Sequence, residues 1–300
     1  MQVQVIRLVL VLLMSAVLLP GMTLAQDDTE NREVVISAVE NTIAQGYSMT
    51  MKSNVTSTIT QTDGFVTTTY NIQSVDGAVA ADGDRTFTWQ SQGADTFENA
   101  ADSEPLGVEQ IVSEGVNYVN FNLEGSMYES LLDIAPGWWE YDHLLEVADS
   151  PILTGVLQSY GQTDTPLESL FTDETIVSVE EVEPETIDGV EMRVFDVELD
   201  SVQLLLNQTV GTHEEKEALL VESEDLLAAS DLSSTYRLWI GKDDGLVYRG
   251  QGESRSAIPY ASEGSDTDPD FDMETDSTVE FTIAQHGEAV DIIPPETVNE

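Results

Sequence analysis

Cysteine is missing from all 300 residues. That excludes a disulfide, a thiol nucleophile, a cysteine-ligated zinc and a cysteine to carry a lipid anchor. Positive charge is scarce as well. Ten Lys and Arg stand against 57 Asp and Glu, a formal net charge of −47 at pH 7. A surface of that sign repels phosphate backbones and excludes nucleic acid as a partner. It does supply solubility, most usefully in high salt, where self-repulsion is screened. Histidine is limited to His143, His213 and His286, none with a motif partner. No G-x-S-x-G, H-E-x-x-H, Walker or dinucleotide-binding run occurs. Among 57 carboxylates a close acidic pair arises by chance and marks no glycosidase. These absences argue against an enzyme and against a cofactor.

What is present begins with an apolar N-terminus, "MQVQVIRLVLVLLMSAVLLPGMTLAQDD". One cation, Arg7, precedes the run Leu8–Leu19; Pro20-Gly21 breaks it, and Thr23-Leu24-Ala25 offers small residues for cleavage. Residues 1–25 read as a signal peptide, which places 26–300 outside the cytoplasm, secreted or periplasmic. An uncut anchor is the alternative, because Val3–Ala25 approaches the ~20 apolar residues that span a bilayer.

Beyond it, "NREVVISAVENTIAQ" (31–45) has Val35, Ala38, Val39, Thr42 and Ile43 at helical spacing, Asp27 or Asp28 to cap it and Gly46 to end it. The period then falls to two. Tyr47, Met49, Met51, Val55 and Ile59 share one face of a strand, and Val66, Thr68, Tyr70 and Ile72 share one face of the next. Phe87 and Trp89 open a third. Asp63-Gly64, Asp76-Gly77, Glu114-Gly115 and Asp188-Gly189 punctuate the strands as turns, an antiparallel meander pattern. Residues 143–160, interrupted by Pro151, and 201–208 with 213–229 read as helices. A hairpin turned at Asp243-Asp244-Gly245 and a strand carrying Val279, Phe281 and Ile283 close the chain. The pattern predicts an α+β fold.

The order of elements resembles the LolA/LppX-like family of bacterial lipoprotein carriers and lipid-binding envelope proteins. The residues that carry the resemblance are Gly137-Trp138, "IDGVEMRVFDVELD" around Asp188-Gly189, "TYRLWIGKDDGLVYRG" with Trp239, and Pro294-Pro295 in "IIPPE". The resemblance implies a single curved antiparallel β-sheet, a half-barrel, with helices packed on its concave face. It implies one domain over 26–300, and an apolar cavity between sheet and helices that holds a lipid or acyl-bearing ligand. Many relatives are anchored by a lipidated cysteine, which this chain does not have.

With that frame, Met49, Met51, Tyr70, Trp89, Leu238, Ile240 and Phe281 are the candidate cavity lining. The expected molecule is a monomeric, non-catalytic lipid carrier of the envelope, with transient membrane contact at most. The alternative is a cell-surface structural or sensing module with a packed core, an exposed apolar patch and a protein partner. The hairpin 234–254 is apolar on both faces, with Leu238 and Ile240 opposed by Trp239. Its Arg237 and Arg249 read as partners of surface carboxylates. The acidic run 262–276 reads as a solvated loop. Its Asp266, Asp268, Asp270 and Asp272 alternate, but an EF-hand loop needs Gly and Glu where Phe271 and Ser277 stand. No metal site is assigned; at most a weak calcium contact is expected there.

Overall fold

The computed structural model describes residues 27–61, 64–95, 106–122, 134–147, 166–208, 218, 220–221, 224–260 and 271–299. Residues 1–25, read above as a signal peptide, lie outside the described residues, as do 148–160 of the expected helical stretch, His213 and Asp266–Asp270.

Eleven strands form one antiparallel sheet that does not close into a barrel. Helix α1 (Asp27–Gln45) comes first. Gly46, with φ +76°, ends it and turns the chain into β1 (Tyr47–Gln61). The chain then meanders outward through β2 (Val66–Val79), β3 (Arg85–Asp95), β4 (Leu106–Ser113), β5 (Val116–Asn122) and the short edge strand β6 (Trp138–Glu140). Helices α2 (Tyr141–Val147) and α3 (Pro166–Leu170) follow. A second meander starts at the opposite edge with β7 (Ile176–Ile187) and β8 (Val190–Leu199). It continues past α4 (Ser201–Gln208) and α5 (Glu224–Ala229) into β9 (Asp231–Gly241), β10 (Val247–Tyr260) and β11 (Phe271–Ala284). The halves meet where β1 pairs β11, from Ser48 opposite Ala284 to Gln61 opposite Phe271.

Three of the expected turns hold. Glu114-Gly115 and Asp188-Gly189 each have two successive positive φ values, the backbone of a tight hairpin. Gly64 hydrogen-bonds back to Gln61 at 2.8 Å. Asp76-Gly77 is not a turn but lies inside β2. A Cβ on Gly77 would stand 2.1 Å from the Phe87 ring, so the glycine serves a packed ring. The acidic segment also needs correction. Phe271 to Asp276 belong to β11, with Met273 and Thr275 buried and Asp272, Glu274 and Asp276 exposed. Alternating acids here are the wet side of a strand.

Helix α1 is fastened at both ends. Asp28 accepts from the Val179 N–H at 2.7 Å, where a helix cap was expected, and the Arg32 guanidinium donates to the Ile176 and Val177 carbonyls. At the far end Thr42, buried, accepts from the Val247 N–H at 2.9 Å. Val35, Ala38 and Val39 of α1 enter one core with the inner residues of the sheet and with Leu167, Phe171 and Leu204 from α3, α4 and the turn between α3 and β7. Both sheet edges are blunted. The C-terminal tail lies along β6, Asn299 N–H donating to Trp138 O at 2.8 Å. Edge strand β7 carries four glutamates, Pro184 and register breaks. Among the described residues no helix is long and apolar enough to cross a membrane.

Candidate ligand-binding face

The period-two pattern decides what the sheet turns inward. On β1 the odd positions 47–59 face the core; on β11 the odd positions do the same, and on β9 and β10 the even ones. One register row runs from Phe121 through Val108, Trp89, Val75, Met51, Phe281, Gly250 and Leu238 to Phe195. It crosses nine strands without a charge, about 38 Å of sheet at ~4.8 Å per strand. Met49 lies in the next row, between Ile283 and Gly77.

Six of the seven candidate residues therefore share this face. Met49, Leu238, Ile240 and Phe281 are each at most 2 % exposed, and Met51 and Trp89 pack against the same core. Trp89 also touches a second cluster formed by Val108, Val119, Phe121, Trp139, Tyr141 and Leu144, so it joins the core's two parts. Tyr70 is the exception. It pairs with Thr56 on the outward face and is 50 % exposed. The face of β2 that carries Val66, Thr68, Tyr70 and Ile72 is the outward one. The inward one carries Thr69, Asn71, Gln73, Val75 and Gly77, because each odd residue of β1 pairs with an odd residue of β2.

Two glycines missed in the sequence shape this face. A Cβ on Gly250 would meet the Phe281 ring at 2.1 Å, and one on Gly252 the Tyr236 ring at 2.5 Å. The rings lie over bare strand. Phe171 meets Tyr236 edge-on at 5.4 Å, and burial pushes the Tyr236 hydroxyl up to about 12. Burial, with Asp142 nearby, does the same for Tyr141.

Below the apolar row the inner face changes character. Ser57, Thr275 and Ser256 form one register row, and Ser277, Ser254 and Ser234 the next. Ser57 and Thr275 share a hydrogen bond at 3.1 Å, and Ser254 and Ser277 one at 3.0 Å. Ser256 is fully buried and its Oγ has no hydrogen-bond partner.

Two concavities are formed by described residues, of about 340 and 350 Å³. The first lies between α1 and the β9–β10 turn, lined in part by Glu30, Glu33, Asn41, Arg193 and Lys242; the second lies along β7 and β8, by Glu181, Glu185, Glu191 and the same two cations. Both are polar. Of the seven candidate residues only Ile240 borders either.

The outward face answers the question of the two-sided hairpin. Trp239 joins Met192 and Val194 in a small cluster, and its indole N–H donates to Glu185 at 3.0 Å. A bulge at Val247–Arg249 brings Tyr248 onto that cluster, and the Arg249 guanidinium sits 5.0 Å above the Trp239 ring. The arginines are paired on this face. Arg237 makes a bidentate contact with Asp196 at 2.6 and 2.7 Å, and Arg249 pairs with Glu280. Lys242 holds Glu191, and Arg193 holds Glu181, below the usual carboxylate range. Around β2 the outward surface is different: Phe65, Val66, Tyr70 and Ile72 are 48–53 % exposed. His143 stacks on Trp139, and His286 meets Tyr248 and the Val247 carbonyl, on separate elements.

No protein-family model matches the chain, and no curated protein matches it. Solved structures do. LprF from Mycobacterium bovis is 11 % identical, covering 89 % of this chain and 97 % of its own, with a TM-score of 0.37. The Mycobacterium tuberculosis lipoprotein LppX is 12 % identical, covering 89 % and 100 %, with a TM-score of 0.34. A LolA superfamily protein from Nitrosomonas europaea is 10 % identical, covering 88 % and 94 %, with a TM-score of 0.24. These are the kinds of protein that the order of motifs resembles.

Proposed function

We propose that the protein is a non-catalytic lipid-binding protein of the cell envelope, secreted or periplasmic, which holds an acyl-bearing ligand between its sheet and helices. The observation that carries this reading is the uncharged row across nine strands, Phe121 to Phe195, in a molecule of net charge −47. Each buried methylene of an acyl chain contributes about 0.8 kcal/mol, so a long chain needs no charged partner there. Met49 and Met51 add side chains that repack around varied shapes. The ligand enters by parting the short helices from the sheet, while α1 stays fastened at both ends.

Native mass spectrometry of gently purified protein, with extraction of bound lipid, tests the reading. So does uptake of diphenylhexatriene, a hydrocarbon without any polar group. Copurified lipid or saturable uptake is expected; repeated absence of both overturns it. A second reading, a surface module with a protein partner, is favoured by the exposed quartet Phe65, Val66, Tyr70 and Ile72 on one strand and its turn. A molecule that binds no lipid, and whose partner is lost on Tyr70→Ser with Ile72→Ser, would be that module.

A further inference from the structure

The inner face holds a patch that an all-hydrocarbon ligand would leave unused. The register places Ser57, Thr275 and Ser256 in one row and Ser277, Ser254 and Ser234 in the row beside it. Four of the six are at most 3 % exposed. Cross-strand hydroxyl pairs ordinarily support a sheet, and Ser57 with Thr275 and Ser254 with Ser277 have that form. Ser256 does not. Its cross-strand neighbours are Thr275, whose hydroxyl is engaged by Ser57, and Leu232, which has nothing to offer. A fully buried hydroxyl without a partner destabilises a fold unless something else uses it.

The chemistry of the user follows from the surroundings. Along the inward positions of β1, β9, β10 and β11 there is no Asp, Glu, Lys, Arg or His between Tyr47 and Ile59 or between Met273 and Ile283. From these strand positions a carboxylate or phosphate would meet no cation, and an amine no carboxylate. An uncharged acceptor is what fits. Apolar residues flank the patch along the strands, Ile59, Met273 and Ile258 beyond it and the Met51–Phe281–Leu238 row before it. The matching ligand has hydrocarbon on both sides of a neutral polar link.

We propose that the serine and threonine band is a subsite for the uncharged ester of a neutral acyl lipid, with the Ser256 hydroxyl donating to the ester carbonyl. This rests on the lipid-binding reading above. The full-length protein and its Ser256→Ala variant are titrated with three fluorescent probes: diphenylhexatriene, a diacylglycerol, and a fatty acid with the same tail. The wild type is expected to bind the diacylglycerol at least about tenfold more tightly than the fatty acid. Ser256→Ala is expected to weaken the diacylglycerol by about three- to tenfold and to leave diphenylhexatriene unchanged. The ligand-free variant should melt higher than the wild type, because the orphaned hydroxyl is gone. Unchanged diacylglycerol binding in the variant, or a fatty acid that binds the wild type as tightly, overturns the subsite and leaves the lipid reading standing. Failure of all three probes to bind the wild type removes the lipid reading, and the subsite with it.

Discussion

At the scale of single residues, the inner face is governed by where side chains are withheld. Gly250 and Gly252 leave strand β10 bare beneath the Phe281 and Tyr236 rings. Gly250→Ala is expected to cost about 1–3 kcal/mol through overpacking, measured by chemical denaturation. Tyr236 and Tyr141 make a second prediction. Their folded values near 12 lie above the ordinary value of 10. The stabilisation is whole below pH 10 and is lost as pH rises from 10 toward 12, at about 1.4 kcal/mol per pH unit for each group. Alkaline titration of the unfolding free energy should show that slope, and Tyr236→Phe should make it shallower. Residue by residue, the sequence pattern located Met49, Met51, Trp89, Leu238, Ile240 and Phe281 on one face, because their strands alternate oily and polar in phase with burial. It misplaced Tyr70 because β2 turns Thr69, Asn71 and Gln73 inward, where Asn71 bonds Ser91 at 3.0 Å. Where a core is itself lined by hydroxyls and amides, apolar alternation points the wrong way.

At the scale of elements, α1 matters most, since it spans from β7 to β10 and is tied to backbone at each end. Thr42→Val removes the acceptor of the buried Val247 N–H and is expected to cost about 1–3 kcal/mol. Native-state hydrogen exchange should show the Val247 amide opening first; an unchanged rate there would mean packing alone holds the helix end. The helix itself was readable from its 3.6-residue spacing and from Gly46. Its fastening was not, because Asp28 and Thr42 reach partners 151 and 205 residues away. Strand β11 shows the reverse error. The acids of its first half, Asp272 to Asp276, suggested a solvated loop, whereas Met273 and Thr275 bury the alternate side.

At the scale of the whole molecule, charge dominates. Arg32, Arg193, Arg237, Lys242, Arg249 and Arg255 form bidentate or single pairs with carboxylates on the outward face and around α1. Ten cations cannot balance 57 acids. Raising salt from about 10 mM to about 1 M shortens the screening length from roughly 30 to 3 Å. The melting temperature is expected to rise, because screening relieves more repulsion than it removes pairing; a fall on the same titration would show the arginine pairs to be the stronger effect. Charge was legible in the composition alone. The joining of two meanders was not, since nothing local in the sequence marks which strands meet across 236 residues.

That joint has a consequence for how the chain is made. Strands β1 and β11, near the beginning and the end of the polypeptide, lie side by side in the middle of the sheet. While the chain is being synthesised, β1 pairs β2 on one side and waits with its other edge open until β11 emerges. A sheet joined through strands so far apart in sequence cannot lock early, so the first meander stays open to rearrangement until β11 arrives.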